Sequence, residues 1–226
     1  MGTSADITLN GPIWTDFDKI FNNAFLTIDE IQSIANKFDE NSQLTKINKE
    51  ASKYPIKIND ELFGLIEESI NVSKNTEGAF DITVAPLVEL WGFYAKDNKF
   101  PSDEEIKKRL KITGYNNIIL DKRNKTIFLK KDGVMLDLGG IAKGYAADLA
   151  VELLKREGIR SGLVSIAGDI RTFGMKPDKS PWIIGIKNPR QTGGKDEIIA
   201  KIRLSDKAIS TAGDYERFFL NGGKRY

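Results

Sequence analysis

The stretch Asp137-Leu-Gly-Gly-Ile-Ala-Lys-Gly-Tyr-Ala-Ala-Asp148 says most about the fold, because it predicts an abrupt change from strand to helix. The apolar run at 134–138 predicts a strand, and apolar residues at helical spacing predict a helix over 141–157. Gly158 is the expected end of that helix. The first backbone N–H groups of such a helix have no partners inside it, so they point towards whatever lies beyond the strand.

The turn between this predicted strand and helix has the features of an anion site. Free N–H groups and the positive end of the helix dipole favour an anion, and Gly139 and Gly140 allow close approach. Lys143 is unfavourable in a first helical turn unless an anion lies nearby. Asp137 can bind a ribose hydroxyl, an amine or a hydrated cation. The residues indicate a pyrophosphate-and-metal site; a tight turn with packing glycines and a solvated lysine is the alternative.

The composition excludes several kinds of chemistry within this sequence. Its 226 residues contain neither cysteine nor histidine. Thiol nucleophiles, Ser-His-Asp triads and metal sites built from these two residue types are therefore excluded. Any metal must be held by oxygen, which favours Mg²⁺ or Ca²⁺. The net charge of +2 gives no indication that nucleic acid is a partner.

The rest of the pattern predicts an α+β fold, with helices on one side of a largely antiparallel sheet. Further helices are predicted over 16–38, 59–76 and 103–110. The polar residues 41–53 are interpreted as a loop. Further strands are predicted over 3–9, 117–120, 126–130, 163–167, 182–186, 198–204 and 217–220.

The last residues, 218–226, are typical of a β-hairpin with an Asn221-Gly222 turn. The return arm has only three residues in this sequence, and an unfinished arm leaves an open sheet edge. We therefore expect the natural protein to continue beyond Tyr226.

Three other segments allow either a binding role or a structural one. Asp81 lies among apolar residues and must be paired if it is buried; it is either a ligand contact or a helix N-cap. Phe80 and its neighbouring aromatic residues either stack on a ring or belong to the core. The Ala167-Gly168-Asp169 segment predicts a turn. Ser210 and Thr211 predict either a phosphate-binding nest or a polar loop.

Taken in order along the chain, these segments resemble the ApbE family. The opening Met1-Gly2-Thr3 and the serine, leucine and asparagine of 42–48 are similar to family segments. So is the stretch Ala79-Phe-Asp-Ile-Thr-Val84 with its continuation to Phe93. The 137–148, 167–169 and 209–217 segments follow with suitable spacing. The resemblance covers the whole chain, and its specificity lies in the ordered set.

The resemblance implies a single T-fold-like domain over residues 1–226, which binds FAD with Mg²⁺. Members of this family transfer FMN from FAD to a threonine of a partner protein and release AMP. Hydrolysis of FAD to FMN and AMP, or flavin binding without chemistry, are the alternatives. The resemblance also implies an extracytoplasmic enzyme, often lipid-anchored to the membrane.

Motif positions imply the site residues. Phe38 stands where an aromatic residue, often tyrosine, is expected, and Ala167 stands where glycine is commoner. Gly140 is expected to offer its backbone carbonyl to the metal. The catalytic base and most metal ligands are expected beyond Tyr226. The residues expected to contact FAD are Met1, Phe38, Ala79, Phe80, Asp81, Asp137 and Lys143.

Overall fold

The computed structural model describes residues 3–12, 14–94, 99–190, 197–213, 220–221 and 224–225. The chain divides into two compact units, and each is described by itself. The first unit contains residues 29–142, and the second contains residues 3–28 and the chain from 143 onward.

Among the described residues, helices and short strands alternate along the chain. The α-helices are α1 (Phe17–Ile34), α2 (Gln43–Glu50), α3 (Asp60–Asn75), α4 (Ala85–Leu90), α5 (Asp103–Leu110) and α6 (Ala142–Arg156), with 3₁₀ turns at Ile82–Val84 and Tyr115–Asn117. The strands are β1 (Ala5–Asn10), β2 (Ile56–Lys57), β3 (Ile118–Asp121), β4 (Thr126–Leu129), β5 (Ser161–Ile166), β6 (Asp169–Phe173), β7 (Trp182–Lys187), β8 (Ile198–Leu204), β9 (Ala208–Ser210), β10 (Leu220–Asn221) and β11 (Lys224–Arg225).

The described strands pair antiparallel throughout, which confirms the predicted mixed fold with antiparallel sheets. They form four sheets rather than one. The first unit contains the order β2-β4-β3, and the second contains β1-β5-β6-β9 with the ribbons β7-β8 and β10-β11. No helix in the described part of the chain is long and apolar enough to cross a membrane.

Side-chain caps fix the ends of two predicted helices. The Asn59 side chain accepts a hydrogen bond from the backbone N–H of Leu62 at the start of α3. Ser102 and Glu105 form a reciprocal capping box at the start of α5. Both helices lie within a residue of their predicted bounds, because such caps mark where a helix begins.

The predicted loop at 41–53 is wrong, because residues 43–50 form α2. Ser42 caps this helix by accepting from the backbone N–H of Thr45 at 3.0 Å. Leu44 and Ile47 are fully buried on one face. A helix of two turns needs only two such apolar positions, so its polar composition concealed it.

The predicted strand at 134–138 is also wrong, because a side chain takes the place of a partner strand. The backbone N–H of Leu136 donates to Asn48 Oδ1 at 2.7 Å, and Asn48 Nδ2 donates to the Leu136 carbonyl at 3.0 Å. Val134, Leu136 and Leu138 are buried, which explains their strand-like alternation. The backbone groups of Leu136 are thus paired, and the segment belongs to none of the described sheets.

One predicted helix ends earlier than expected for a local reason. α1 ends at Ile34 rather than at residue 38, since the Asn36 side chain accepts from the backbone N–H of Phe38 at 3.1 Å. Such local bonds compete with helix formation. The predicted C-terminal hairpin is confirmed by the pairing of Leu220 with Arg225 and of Asn221 with Lys224, but Asn221 lies in β10 and not in the predicted Asn221-Gly222 turn. Its connecting residues 222–223, and residues 217–219 of the predicted strand, lie outside the described part.

Candidate functional site

Asp137 forms the centre of a polar cluster in the first unit. Lys37 Nζ lies 2.7 Å from Asp137 Oδ2, and the Tyr94 hydroxyl donates to the same oxygen at 2.5 Å. The backbone N–H of Gly139 donates to Oδ1 at 2.8 Å. The side chains of Lys37 and Asp137 are only 11% and 20% exposed. Each oxygen of the carboxylate is therefore engaged by a donor of the protein.

These contacts set the charges of the cluster. Burial would raise the pKa of Asp137, but hydrogen bonds from Lys37, Tyr94 and Gly139 outweigh it and hold this pKa below its usual range. Burial lowers the pKa of Lys37, and the bond to Asp137 opposes that shift. Burial and the bond to Asp137 both raise the pKa of Tyr94. We therefore treat the cluster at neutral pH as a carboxylate, an ammonium and a neutral phenol.

Two aromatic rings adjoin the Lys37 ammonium. Its nitrogen lies 2.9 Å from the centroid of the Tyr94 ring and 5.0 Å from that of Phe38. The two rings meet edge to face, with centroids 5.6 Å apart. Phe38 remains 70% exposed. The predicted contact residues Phe38 and Asp137 thus belong to one cluster, and Phe38 presents an accessible aromatic surface.

Asp81 takes the structural role that was one of its two predicted alternatives. It caps the 3₁₀ turn Ile82–Val84, with Oδ1 accepting from both the backbone N–H and the hydroxyl of Thr83. Its Oδ2 accepts from the backbone N–H of Tyr115 at 2.7 Å. These bonds join two 3₁₀ turns of the first unit and satisfy the partly buried carboxylate.

Glycines permit close approaches beside Asp137. A Cβ at Gly139 would lie 3.0 Å from Asp137 Oδ1. A Cβ at Gly140 would lie 3.3 Å from Phe80 Cε2. The predicted residues Phe80 and Gly140 are thus neighbours, whereas Ala79 is exposed nearby in the chain.

Lys143 belongs to a separate cluster in the second unit. It lies in the first turn of α6, as predicted, and its Nζ is 3.0 Å from Asp169 Oδ2. The Ser210 hydroxyl donates to Asp169 Oδ1 across the β6–β9 pair. The anion that offsets the cation at this helix start is therefore a carboxylate of the protein. The Lys143 side chain is still 29% exposed.

The 167–169 and 210–211 segments make structural contacts with each other. Ala167 and Gly168 connect β5 to β6 with φ of 47° and 90°, which explains why glycine suits both positions. The backbone N–H of Thr211 donates to the Gly168 carbonyl at 3.2 Å. Ser210 belongs to β9 and not to the predicted loop, and the hydroxyls of Ser210 and Thr211 both donate to groups of the protein. Residues 214–217 of this motif lie outside the described part.

The sequence interpretation missed Lys37, Tyr94 and the role of Asn48. Lys37 adjoins Phe38 in the chain, and Tyr94 directly follows the 79–93 motif, but neither position carries a pattern that reveals its partner. Met1, a predicted FAD contact, lies outside the described residues. Apart from the exposed Ala79, the other predicted contacts divide between the Asp137 cluster, the Asp81 cap, the Phe80–Gly140 pair and the Lys143 cluster.

The described residues do not form a side-chain magnesium site. Within the described ranges, no three aspartate or glutamate side chains come together in a metal-binding group. Asp137 is already bonded to Lys37, Tyr94 and Gly139. A role for the Gly140 carbonyl in metal binding remains a prediction.

Replacing Asn48 with leucine should lower the free energy of unfolding by about 2 kcal/mol, because the buried N–H and C=O of Leu136 would lose their partners. Urea denaturation followed by circular dichroism would measure this loss. The exposed Asn71 of α3 offers a matched control, since Asn71→Leu should change stability by less than about 0.5 kcal/mol. Equal stability of the two variants would contradict a structural role for the Asn48 amide.

Comparison with known proteins shows which family the sequence matches. The model of the ApbE family matches residues 1–226. The FAD:protein FMN transferase of Vibrio cholerae is 34% identical over 203 residues, covering 88% of this chain and 59% of the relative. The corresponding Escherichia coli K12 protein is 30% identical over 202 residues, covering 88% and 57%. The chain thus spans a little over half the length of these relatives.

Solved structures agree with the sequence relatives. The crystal structure of an ApbE protein from Thermotoga maritima has a TM-score of 0.88 and 38% identity, covering 100% of this chain and 72% of that one. The flavin transferase ApbE of Vibrio cholerae has a TM-score of 0.84 and 30% identity, covering 98% and 71%. On the match over its whole length, this chain belongs to the ApbE family.

Proposed function

We propose that this protein transfers FMN from FAD to a threonine hydroxyl of an acceptor protein. The observation that carries the proposal is the family match over residues 1–226, together with relatives that are named FAD:protein FMN transferases. The two side-chain clusters described above supply groups that suit parts of a flavin nucleotide.

The reaction exchanges the phosphoanhydride bond of FAD for a phosphoester bond to the acceptor. The acceptor hydroxyl oxygen attacks the phosphorus on the FMN side of the FAD pyrophosphate. The new phosphorus–oxygen bond forms as the bond to the bridging oxygen breaks, and AMP leaves with that oxygen. The hydroxyl proton passes to a general base. We assign no described residue as that base.

Phe38 suits the ring system of the flavin, and Asp137 suits a hydrogen-bond donor of the ligand. An exposed aromatic ring can stack on the planar ring system of a flavin. A carboxylate has about four acceptor positions, of which Lys37, Tyr94 and Gly139 use three. The remaining position on Oδ1 can accept from a hydroxyl or amino group of the ligand.

Lys143 suits a phosphate oxygen. An ammonium group has three N–H donors, and Asp169 accepts from the side facing it. The remaining donors can bind an anionic oxygen, and a fixed cation stabilises negative charge that grows during phosphoryl transfer. Asp169 keeps the ammonium oriented in the absence of a ligand.

An adduct assay tests the proposed transfer. The full-length protein is incubated with FAD, Mg²⁺ and an acceptor domain that carries a single candidate threonine. We expect the acceptor to gain the mass of one FMN, with AMP formed in equal amount. The same acceptor with that threonine replaced by alanine should gain nothing. AMP without an adduct would contradict transfer and indicate hydrolysis, whereas bound FAD without AMP would indicate a binding protein.

Magnesium dependence is a further part of the proposal, with ligands outside the described side-chain clusters. Repeating the assay with excess EDTA separates it from the transfer itself. We expect the adduct to disappear with EDTA and to return when Mg²⁺ is restored. An undiminished yield in EDTA would remove the metal from the proposal and leave FMN transfer standing.

A further inference from the structure

The groups that surround the Lys37 ammonium each attract a positive charge. Asp137 Oδ2 lies at 2.7 Å, the Tyr94 ring centroid at 2.9 Å and the Phe38 ring centroid at 5.0 Å. Glu89 also contributes a favourable charge interaction. A lysine stem that merely filled space would extend its ammonium into water, as lysines usually do. This one is directed inward.

We propose that Lys37 is a positioning residue, which orients the Asp137 carboxylate and the Phe38–Tyr94 ring pair for a flavin nucleotide. The inference rests on the proposed function, because it names what holds the FAD contacts in place. Lys37 itself is not assigned a contact with the ligand.

The two oxygens of Asp137 have different partners. Lys37 and Tyr94 both donate to Oδ2, whereas Oδ1 accepts only the Gly139 N–H among the described contacts. Two charge-assisted bonds on one oxygen fix the rotation of the carboxylate. Because Lys37 and Tyr94 occupy Oδ2, the acceptor position that remains for a ligand lies on Oδ1, beside the Gly139 backbone.

The same ammonium also contacts the aromatic rings. The ammonium lies against the face of Tyr94, where the ring quadrupole attracts a cation. The Phe38 ring then meets Tyr94 at 84°, in the edge-to-face arrangement that aromatic pairs prefer. One cation thus links the carboxylate to the ring that we expect to stack on the flavin. Without it, the carboxylate keeps only the bonds from Tyr94 and Gly139, and the rings lose the cation that adjoins them.

A double-mutant cycle on FAD affinity tests this coupling in the full-length protein. Dissociation constants are measured by flavin fluorescence for the wild type, Lys37→Met, Asp137→Asn and the double variant. We expect Lys37→Met to weaken binding by about tenfold, which is a typical coupling between contacting residues. In the Asp137→Asn background the same change should weaken it by less than about twofold. A tenfold loss in both backgrounds would overturn the proposal.

Two further variants separate positioning from general damage. Lys37→Arg keeps a cation that can bond a carboxylate and stack on an aromatic ring, so it should recover part of the affinity that Lys37→Met loses. Lys46→Met removes an exposed lysine of α2 and should leave affinity unchanged. An arginine variant as weak as the methionine variant would contradict a role for the charge.

A ligand-free crystal structure of Lys37→Met keeps this inference distinct from the proposed function. We expect the Asp137 carboxylate to rotate and the Phe38–Tyr94 edge contact to be lost. Unchanged positions of both would overturn positioning whether or not FAD binds. Failure of the wild type to bind FAD would instead reject the proposed function, and the crystal structure would still decide whether Lys37 positions these groups.

Discussion

Replacing Asp137 with alanine should lower the free energy of unfolding by about 2–4 kcal/mol. The change leaves the Lys37 ammonium, only 11% exposed, without its carboxylate partner. It also removes the acceptor of the Tyr94 hydroxyl and of the Gly139 N–H. Breaking one side of a buried ion pair is costly because the remaining charge stays desolvated. Urea denaturation at neutral pH would measure the loss.

The change of the free energy of unfolding with acid distinguishes the effect of the Asp137 charge from the effect of its shape. The pKa of Asp137 is lower in the folded protein than in the unfolded chain. Its contribution is therefore present above the unfolded pKa of about 4 and is lost as the pH falls through the folded pKa. Asp137→Asn keeps the shape but cannot ionise, so its stability should fall less steeply with acid. An acid profile equal to that of the wild type would contradict the ion pair.

An exposed carboxylate of the same unit serves as the control. Asp132 is exposed and accepts only a 3.3 Å bond from Ser52 among the described contacts. Asp132→Ala should change the free energy of unfolding by less than about 0.5 kcal/mol. If Asp137→Ala proved equally mild, the cluster would not be the desolvated ion pair described above.

The parts of the fold that could be predicted are those specified by neighbouring residues. α5 has acidic residues in its first turn, basic residues in its last and a capping box at its start, so its bounds are local information. The β3–β4 hairpin is similar, since its strands flank a short polar turn and pair directly. Such elements are encoded within about ten residues of sequence.

The errors arose where a distant residue supplies what a local pattern omits. Leu136 is satisfied by the Asn48 amide, 88 positions away in the chain, and no periodicity can announce that bond. The alternation at 134–138 reported burial correctly, but burial on alternate sides does not require a sheet. α2 was missed for the opposite reason, because its polar surface outweighed two buried residues.

The residues of the candidate site also divide into those that the sequence indicates and those that only distant contacts reveal. Asp137 and Lys143 were first indicated by the turn before a predicted helix, whereas Phe38 was found through motif order alone, which is information about a family rather than about contacts. Lys37 lies 100 positions from Asp137, and Tyr94 lies 43 positions from it. The charge of Lys143 has no visible partner in the sequence pattern, because its partner Asp169 lies beyond α6, at the start of β6. Only the folded chain reveals that both motif residues are held by ion pairs.

Replacing Gly174 with alanine should destabilise the protein by about 3–5 kcal/mol, the range of severe backbone and packing defects. This glycine follows β6 with a φ of 58°, in the left-handed region that costs other residues about 1–2 kcal/mol. A Cβ there would also lie 2.1 Å from the Arg160 carbonyl oxygen and 3.0 Å from the Ser161 Cα. Both are backbone atoms at the start of β5, so relief requires the sheet itself to move.

Alanine variants of two other glycines in the second unit separate the cost of a positive φ from the cost of the close backbone contact. Urea denaturation would compare the stabilities of all three variants. Gly158 has a φ of 87°, but within the described part of the chain no atom beyond its two chain neighbours lies within 4 Å of the position that an alanine Cβ would take, so Gly158→Ala should lose only about 1–2 kcal/mol. Gly144 lies inside α6 with open space around it, and Gly144→Ala should gain up to about 1 kcal/mol. If Gly174→Ala lost no more than Gly158→Ala, the turn could relax, and the close approach to β5 would not constrain this end of the sheet.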